Sequence, residues 1–261
     1  MSATAYSVPD HIPPIVRLEL ERRREWLAGV PEADRAARWT EIVEDIKNVT
    51  DEIAFSEIPY QYRQASPEGA RDAEAFAKVT RHPRCSDRER QGKRGMILFG
   101  DTGSGKSSAG YARVMLNLLN HYTMTHISAV RLARMVRESV QKSADFALMM
   151  RLLTRTETEA DTEDGDQGFV GRWQSCCGLL IDDIHVPKLT SAFSAALYGI
   201  VEAQTAEGNE LIVTSQLDAV GLLRKWRADA PELSDTSKAI IRRIVDHCEP
   251  VNFVWEDSPW A

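Results

Sequence analysis

The sequence predicts an α/β fold in which a mostly parallel sheet is covered by helices on both faces and preceded by a small helical region. Three observations carry that prediction. From Arg94 onward, short apolar runs alternate with amphipathic segments, the rhythm of successive β-α-β units. One of these runs opens directly into the glycine-rich stretch ILFGDTGSGKSS, Ile97 to Ser108. Another, GLLIDD from Gly178 to Asp183, ends in two carboxylates, as a buried strand does when it delivers acids to the carboxyl edge of a sheet.

The chain as a whole permits this. It has 261 residues, of which 43% are hydrophobic, enough for one large domain or a domain with an appendage. Its four cysteines, Cys85, Cys176, Cys177 and Cys248, show no C-x-x-C spacing and read as reduced thiols, not a disulfide framework or a zinc site. The N-terminal MSATAYSVPDHIPP lacks the charged head and apolar core of a leader, and no run approaches the roughly 18 apolar residues of a spanning helix. A cytoplasmic protein is expected. A formal charge of −7 excludes broad electrostatic adhesion to DNA and leaves only local contact with nucleic acid.

Taken in order, the elements fall into three regions. In residues 1–56, Val16, Leu20, Arg23 or Arg24, and Leu27 mark one helix. Pro31 breaks it, and Trp39, Ile42, Val43, Ile46 and Val49 recur at helical spacing in a second. These two helices read as a partner-binding appendage. Trp26 and Trp39 are expected to pack between them, and Arg22-Arg23-Arg24, interleaved with Glu19, Glu21 and Glu25, to form a solvated face. Residues 57–93, rich in proline, glycine and charge, read as a linker with a short helix near Glu68–Val79. Residues 94–261 form the sheet-containing core, with strands at MILFG, THISAV, GLLIDD, ELIVTSQ and PVNFVW, and a helix through Lys238–His247 before the last. The acidic run Glu157–Asp166 reads as a disordered, solvated loop.

Gly100, Gly105, Lys106 and Ser107 satisfy G-x-x-x-x-G-K-[ST] between a candidate strand and a helix marked by Tyr111, Met115, Leu118 and Tyr122. Such a match arises by chance in a chain this long on the order of 1% of the time. Bare backbone across Gly100, Asp101, Thr102, Gly103, Ser104, Gly105, Lys106, Ser107 and Ser108 lets successive N–H groups point at phosphate oxygens, with the helix dipole behind them. Lys106 would place a charge on the β- and γ-phosphates of ATP, and Ser107 a hydroxyl on Mg²⁺. Asp182 would hold the same Mg²⁺, and Asp183 would orient or activate the attacking water. Leu211–Gln216 is a further buried strand ending in polar groups, suited to bringing Ser215 or Gln216 between the γ-phosphate and the second carboxylate.

The P-loop, GLLIDDI, LIVTSQL and AIIRRIVDHCEPVNF, in this order and spacing, together with Ile58-Pro59-Tyr60-Gln61-Tyr62-Arg63 ahead of them, resemble the AAA+ ATPases of the DnaC-type helicase loaders and the related IstB transposition helpers. The resemblance spans about Ile58 to Trp255. It implies a P-loop NTPase of the AAA+/ASCE class with five parallel strands, ATP and Mg²⁺ as ligands, assembly into a homo-oligomeric ring or spiral, and a replicative helicase or transposase as partner. It also implies Gln216 as the polar sensor, where the family has asparagine, and Arg243 as an arginine finger reaching a neighbouring subunit's nucleotide, with Arg242 as runner-up. Ile240, Ile241, Ile244 and Val245 would bury one face of that helix and leave the arginines outward. His185 stands where the family commonly has glycine, and the family's later arginine has no counterpart in residues 254–261.

Three functions are compatible with these residues: a helicase loader in DNA replication, an IstB-like helper binding DNA and a transposase, or a small-molecule kinase. Direct binding of single-stranded DNA would draw on Leu223-Arg224-Lys225-Trp226-Arg227, where cations and an aromatic face lie together. More often such a stretch is an exposed helix with one anchoring tryptophan. The six histidines lack ligand spacing, so no metal beyond nucleotide-bound Mg²⁺ is expected.

Overall fold

Apolar runs as dense as those of the core are buried on both faces when they form strands, which requires helices above and below the sheet. The computed structural model describes residues 12–55, 58–82, 92–120, 122–139 and 176–255, and it has this architecture. Strands β1 (Gly95–Gly100), β2 (Thr123–Ser128), β3 (Cys176–Asp182), β4 (Glu210–Thr214) and β5 (Cys248–Phe253) form a five-stranded sheet in the order β2-β3-β4-β1-β5. Every pairing is parallel. The order inserts β4 between β1, which leads into the P-loop, and β3, which ends in the acids.

Side-chain alternation along the strands sorts the core into two layers. Met96, Leu98, Leu180, Ile212, Val251 and Phe253 face one side, together with helix α5 (Lys106–Leu118). Ile97, Leu179, Ile181, Leu211 and Val213 face the other. There they meet α6 (Ala129–Ser139), α7 (Ser191–Ala206), α8 (Ala219–Asp229) and α9 (Ser234–His247). Thr190 and Asp218 cap α7 and α8 by accepting hydrogen bonds from Phe193 and Gly221.

The N-terminal helices α1 (Pro14–Leu27) and α2 (Glu32–Phe55) do not stand apart from this core. Ile12, Ile15, Val16 and Leu20 are buried in the same cluster as Met115, Leu116 and Leu119 of the P-loop helix and its end. This layer makes α5 buried on nearly all sides from Ala109 to Leu118. The arginine run is therefore not simply a solvated face. Arg23 donates to the Leu119 carbonyl at 2.9 Å and to Asn120 Oδ1 at 3.2 Å, closing the C-terminal end of α5, where a cation meets the negative end of the helix dipole. Trp39 is buried as expected, but Trp26 is 61% exposed. The linker carries two short helices, α3 (Tyr60–Arg63) and α4 (Ala73–Thr80), and the acidic run Glu157–Asp166 lies outside the described residues.

Candidate nucleotide-binding site

The site forms where β1, β3 and β4 end side by side. After β1 the chain turns at Gly100, whose φ is 135° and where an added Cβ would lie 2.1 Å from the Phe253 carbonyl oxygen. Only glycine fits there. The loop runs to Gly105, also at positive φ, and α5 begins at Lys106. The lysine side chain turns back into the loop. It donates to the Gly100 carbonyl at 2.9 Å, to the Asp101 carbonyl, and to Ser104 Oγ at 3.3 Å. Lys106 is only 5% exposed, so it belongs to the wall of the site and not to a solvated loop. Burial pulls its pKa down, opposed by the carboxylates of Asp183, Asp101 and Asp182.

Asp182 at the end of β3 is equally buried. Its Oδ1 accepts two hydroxyl hydrogen bonds, from Ser107 at 2.7 Å and from Thr214 at 2.6 Å. Burial raises its pKa against these bonds, which favour the charged form. Asp183 follows at φ 56°, a left-handed conformation that costs a non-glycine residue about 1–2 kcal/mol. It is held there by its own N–H, which donates to Thr214 Oγ1 at 2.8 Å, and by Val186 N, which donates to its carbonyl at 3.0 Å. Backbone strain enforced this way aims a side chain that a relaxed turn would not. Burial raises the Asp183 pKa, and Lys106 opposes the rise.

The structure thus brings together Lys106, Ser107, Asp182 and Asp183, and adds Thr214, which the sequence reading passed over for its neighbours. Ser215 faces away from the acids: its N–H donates to the Leu98 carbonyl and its hydroxyl accepts from Leu217 N. Gln216 is exposed at the strand tip, and its N–H donates to His185 Nδ1 at 3.2 Å. That acceptor role fits a neutral His185, whose pKa burial lowers, with Lys106 and Lys225 adding to the effect. Strand parity was the available signal for Thr214: it shares the face of Ile212, as Asp182 shares that of Leu180, while Ser215 falls on the other face.

Behind the acids, Tyr62 of α3 stacks on Tyr111 of α5 with centroids 4.5 Å apart, and Tyr111 meets His126 edge-on at 5.2 Å. The Ile58–Arg63 segment therefore lies against the P-loop helix. Burial and the charge of Asp182 push the Tyr111 phenol up, so it stays neutral.

Arg243 is not outward and unengaged. Its Nη2 donates to the Tyr198 hydroxyl at 2.7 Å and to Glu202 Oε1 at 3.1 Å, and its guanidinium lies 4.5 Å from the Tyr198 ring centroid. Both partners are on α7. Arg242 is the exposed one, 3.6 Å from Asp246. Ile240, Ile241 and Ile244 bury the expected face, but Val245 is 39% exposed. In α8, Trp226 is fully buried and Lys225 pairs with Asp229 at 2.6 Å, so the tryptophan is the anchor of an exposed helix and offers no face to a base.

The donor set fits a nucleotide-bound Mg²⁺. Ser107 Oγ and Asp182 Oδ1 supply two hard oxygens side by side, and among the described residues no group of three His, Cys, Asp or Glu could hold a metal alone. Mg²⁺ suits such a half-site, because it keeps waters and takes its remaining ligands from phosphate oxygens. Among the described residues no helix is long and apolar enough to cross a membrane.

No protein-family model matches the chain, and no curated protein matches it by sequence. By structure it is similar to DnaI, at 16% identity and a TM-score of 0.50, over 69% of this chain and 81% of that one. It is also similar to the DnaC helicase loader, at 12% identity and a TM-score of 0.51, over 75% of this chain and 100% of that one. The resemblance read from the motifs is met at the level of the fold: the chain shares with these two structures an α/β architecture built on a parallel five-stranded sheet.

Proposed function

We propose that the protein binds and hydrolyses ATP and acts as a cytoplasmic helicase loader in DNA replication, with a replicative helicase as its partner. The observation that carries the ATPase part is the convergence of Ser107 and Thr214 on Asp182, beside a buried Lys106. The helicase-loader part is supported by the fold shared with the DnaC helicase loader.

In this reading the loop from Gly100 to Ser108 cradles the phosphates, and Lys106 exchanges its loop carbonyls for phosphate oxygens. Ser107 and Asp182 hold Mg²⁺, which when bound neutralises phosphate charge. Asp183, aimed by its left-handed backbone, orients the attacking water and takes its proton. A raised carboxyl pKa suits a base that must capture a proton near neutral pH. Gln216 is the γ-phosphate sensor of this scheme. Arg243 acts on a neighbouring subunit's nucleotide in a homo-oligomer, where a donated arginine is worth about 10³–10⁵ in rate. It does so by leaving Tyr198 and Glu202. The transposition-helper and kinase alternatives gain no residue here: Trp226 is buried and unavailable for base stacking.

The test is the ATPase rate measured alone, with single-stranded DNA, and with a replicative helicase. Stimulation by the helicase supports the loader. Stimulation by DNA alone, with no complex on mixing with helicase, favours the transposition helper, and no turnover under any condition refutes the ATPase.

A further inference from the structure

Two segments far apart in the sequence, at Arg71-Asp72 and at Val254-Trp255, meet against the P-loop at Gly103, and neither belongs to the phosphate cradle. Arg71, just before α4, donates from Nη1 to the Gly103 carbonyl at 2.7 Å. Its guanidinium carbon lies over Trp255, 3.7 Å from the ring centroid. Trp255 follows β5, and the chain there is tied to the same place by the Val254 N–H, which donates to Asp72 Oδ2 at 2.9 Å. Asp72 uses its other oxygen to cap α4, accepting from Ala75 N at 2.9 Å. Gly103 has φ 78°, and an added Cβ would lie 2.8 Å from Arg71 Nη1 and 3.2 Å from the Trp255 ring.

We propose that Arg71, braced by Trp255, is a positioning residue for the nucleotide: it fixes the direction of the Gly103–Ser104 peptide and so holds the P-loop in its binding shape. The proposal rests on the ATP-binding reading above. A glycine at positive φ leaves that peptide free to turn over, and each such freedom must be lost when phosphate is bound. A cation on the Gly103 carbonyl removes it beforehand and adds positive potential beside an anion site. The π-face of Trp255, under the guanidinium, steadies the cation over the loop.

The experiment is titration of MgATP into wild-type protein and the Arg71→Ala, Arg71→Lys and Trp255→Phe variants, following calorimetric Kd, tryptophan fluorescence and kcat at saturating ATP. Arg71→Ala should weaken MgATP about fivefold, the worth of one net hydrogen bond, with kcat at saturation and melting temperature held. Arg71→Lys, which keeps the charge but not the planar, forked guanidinium, should fall between. Nucleotide should change the fluorescence of wild type, and the change should shrink in Trp255→Phe. Wild-type binding with an unaltered Kd in Arg71→Ala overturns the clamp and leaves the ATP site standing. Loss of kcat and melting temperature together, without restoration by lysine, marks Arg71 as merely structural and also overturns it. Absence of MgATP binding by wild type overturns both readings.

Discussion

Helix α5 touches a buried charged cluster at each end of the sheet, and the two are built on opposite terms. Toward the amino edge, Arg113 forms a bidentate pair with Glu210 at 2.7 and 3.0 Å, and Asn117 donates to the same carboxylate at 3.1 Å. Both charged side chains are 3% exposed or less, yet each meets its opposite. At the carboxyl edge, among the described residues, Asp182 is met by hydroxyls and Lys106 by carbonyls and a hydroxyl. Buried charge is tolerated when paired and hydrogen-bonded, and costs stability otherwise. The amino-edge cluster is therefore complete in the folded chain. The other holds its charges by neutral hydrogen-bonding groups without a direct ion pair, and under the proposed function MgATP would bring phosphate to Lys106 and a cation to Asp182.

This contrast can be broken by substitution, and the largest effect is expected at the complete cluster. Glu210→Ala leaves Arg113 buried without its counter-charge and should cost about 3–5 kcal/mol in urea unfolding. The double variant Arg113→Met, Glu210→Leu should recover most of that, while MgATP affinity of the folded protein stays at the wild-type value. Asp183→Asn is next. It should lower ATP hydrolysis about 10²–10⁴-fold, keep nucleotide bound, and leave melting temperature equal or higher, since it neutralises a carboxylate that burial already disfavours. A marked loss of stability in Asp183→Asn would erase the distinction between the two ends. Thr214→Val keeps shape and removes the hydroxyl that joins Asp182 to the Asp183 backbone. It should cost about tenfold in hydrolysis, the worth of one hydrogen bond to a charged group, seen in steady-state rates.

The smallest effect sharpens the amino edge. His247, half-buried, holds its pKa below its ordinary value of 6.5 through desolvation, with its ring nitrogen 2.7 Å from the Asn209 carbonyl. The unfolded chain thus binds the proton first as pH falls. Stability should be level above about pH 7 and decline as pH drops through 6.5 toward the lower folded value. His247→Gln should flatten part of that decline in thermal unfolding, and His185, shifted the same way, should account for more of it.

Much of this was legible in the residues. The alternation of apolar runs located the five strands, and the glycine spacing located Lys106 and Ser107, because both signals are local. The paired acids were legible for the same reason. What was not legible depended on tertiary placement. Arg23 reads as one charge among several on an exposed helix, and only the docking of α1 on α5 brings it to the Leu119 carbonyl. Arg243 reads as outward because helical spacing sorts faces but does not show that Tyr198 and Glu202 lie beside it. That Thr214 partners Asp182 is not legible from a polar strand end alone, because it takes strand parity together with the register Leu180↔Ile212 to bring the two together.

The central claim is that the carboxyl edge is a nucleotide site completed from outside, and calorimetric titration of MgATP into wild-type and Lys106→Ala protein tests it most directly. The account predicts saturable binding at one site per chain in wild type, and a loss of about hundredfold or more in Lys106→Ala as its charged contact is removed, with melting temperature retained. Equal affinity in the two proteins, or no binding by wild type, would contradict it.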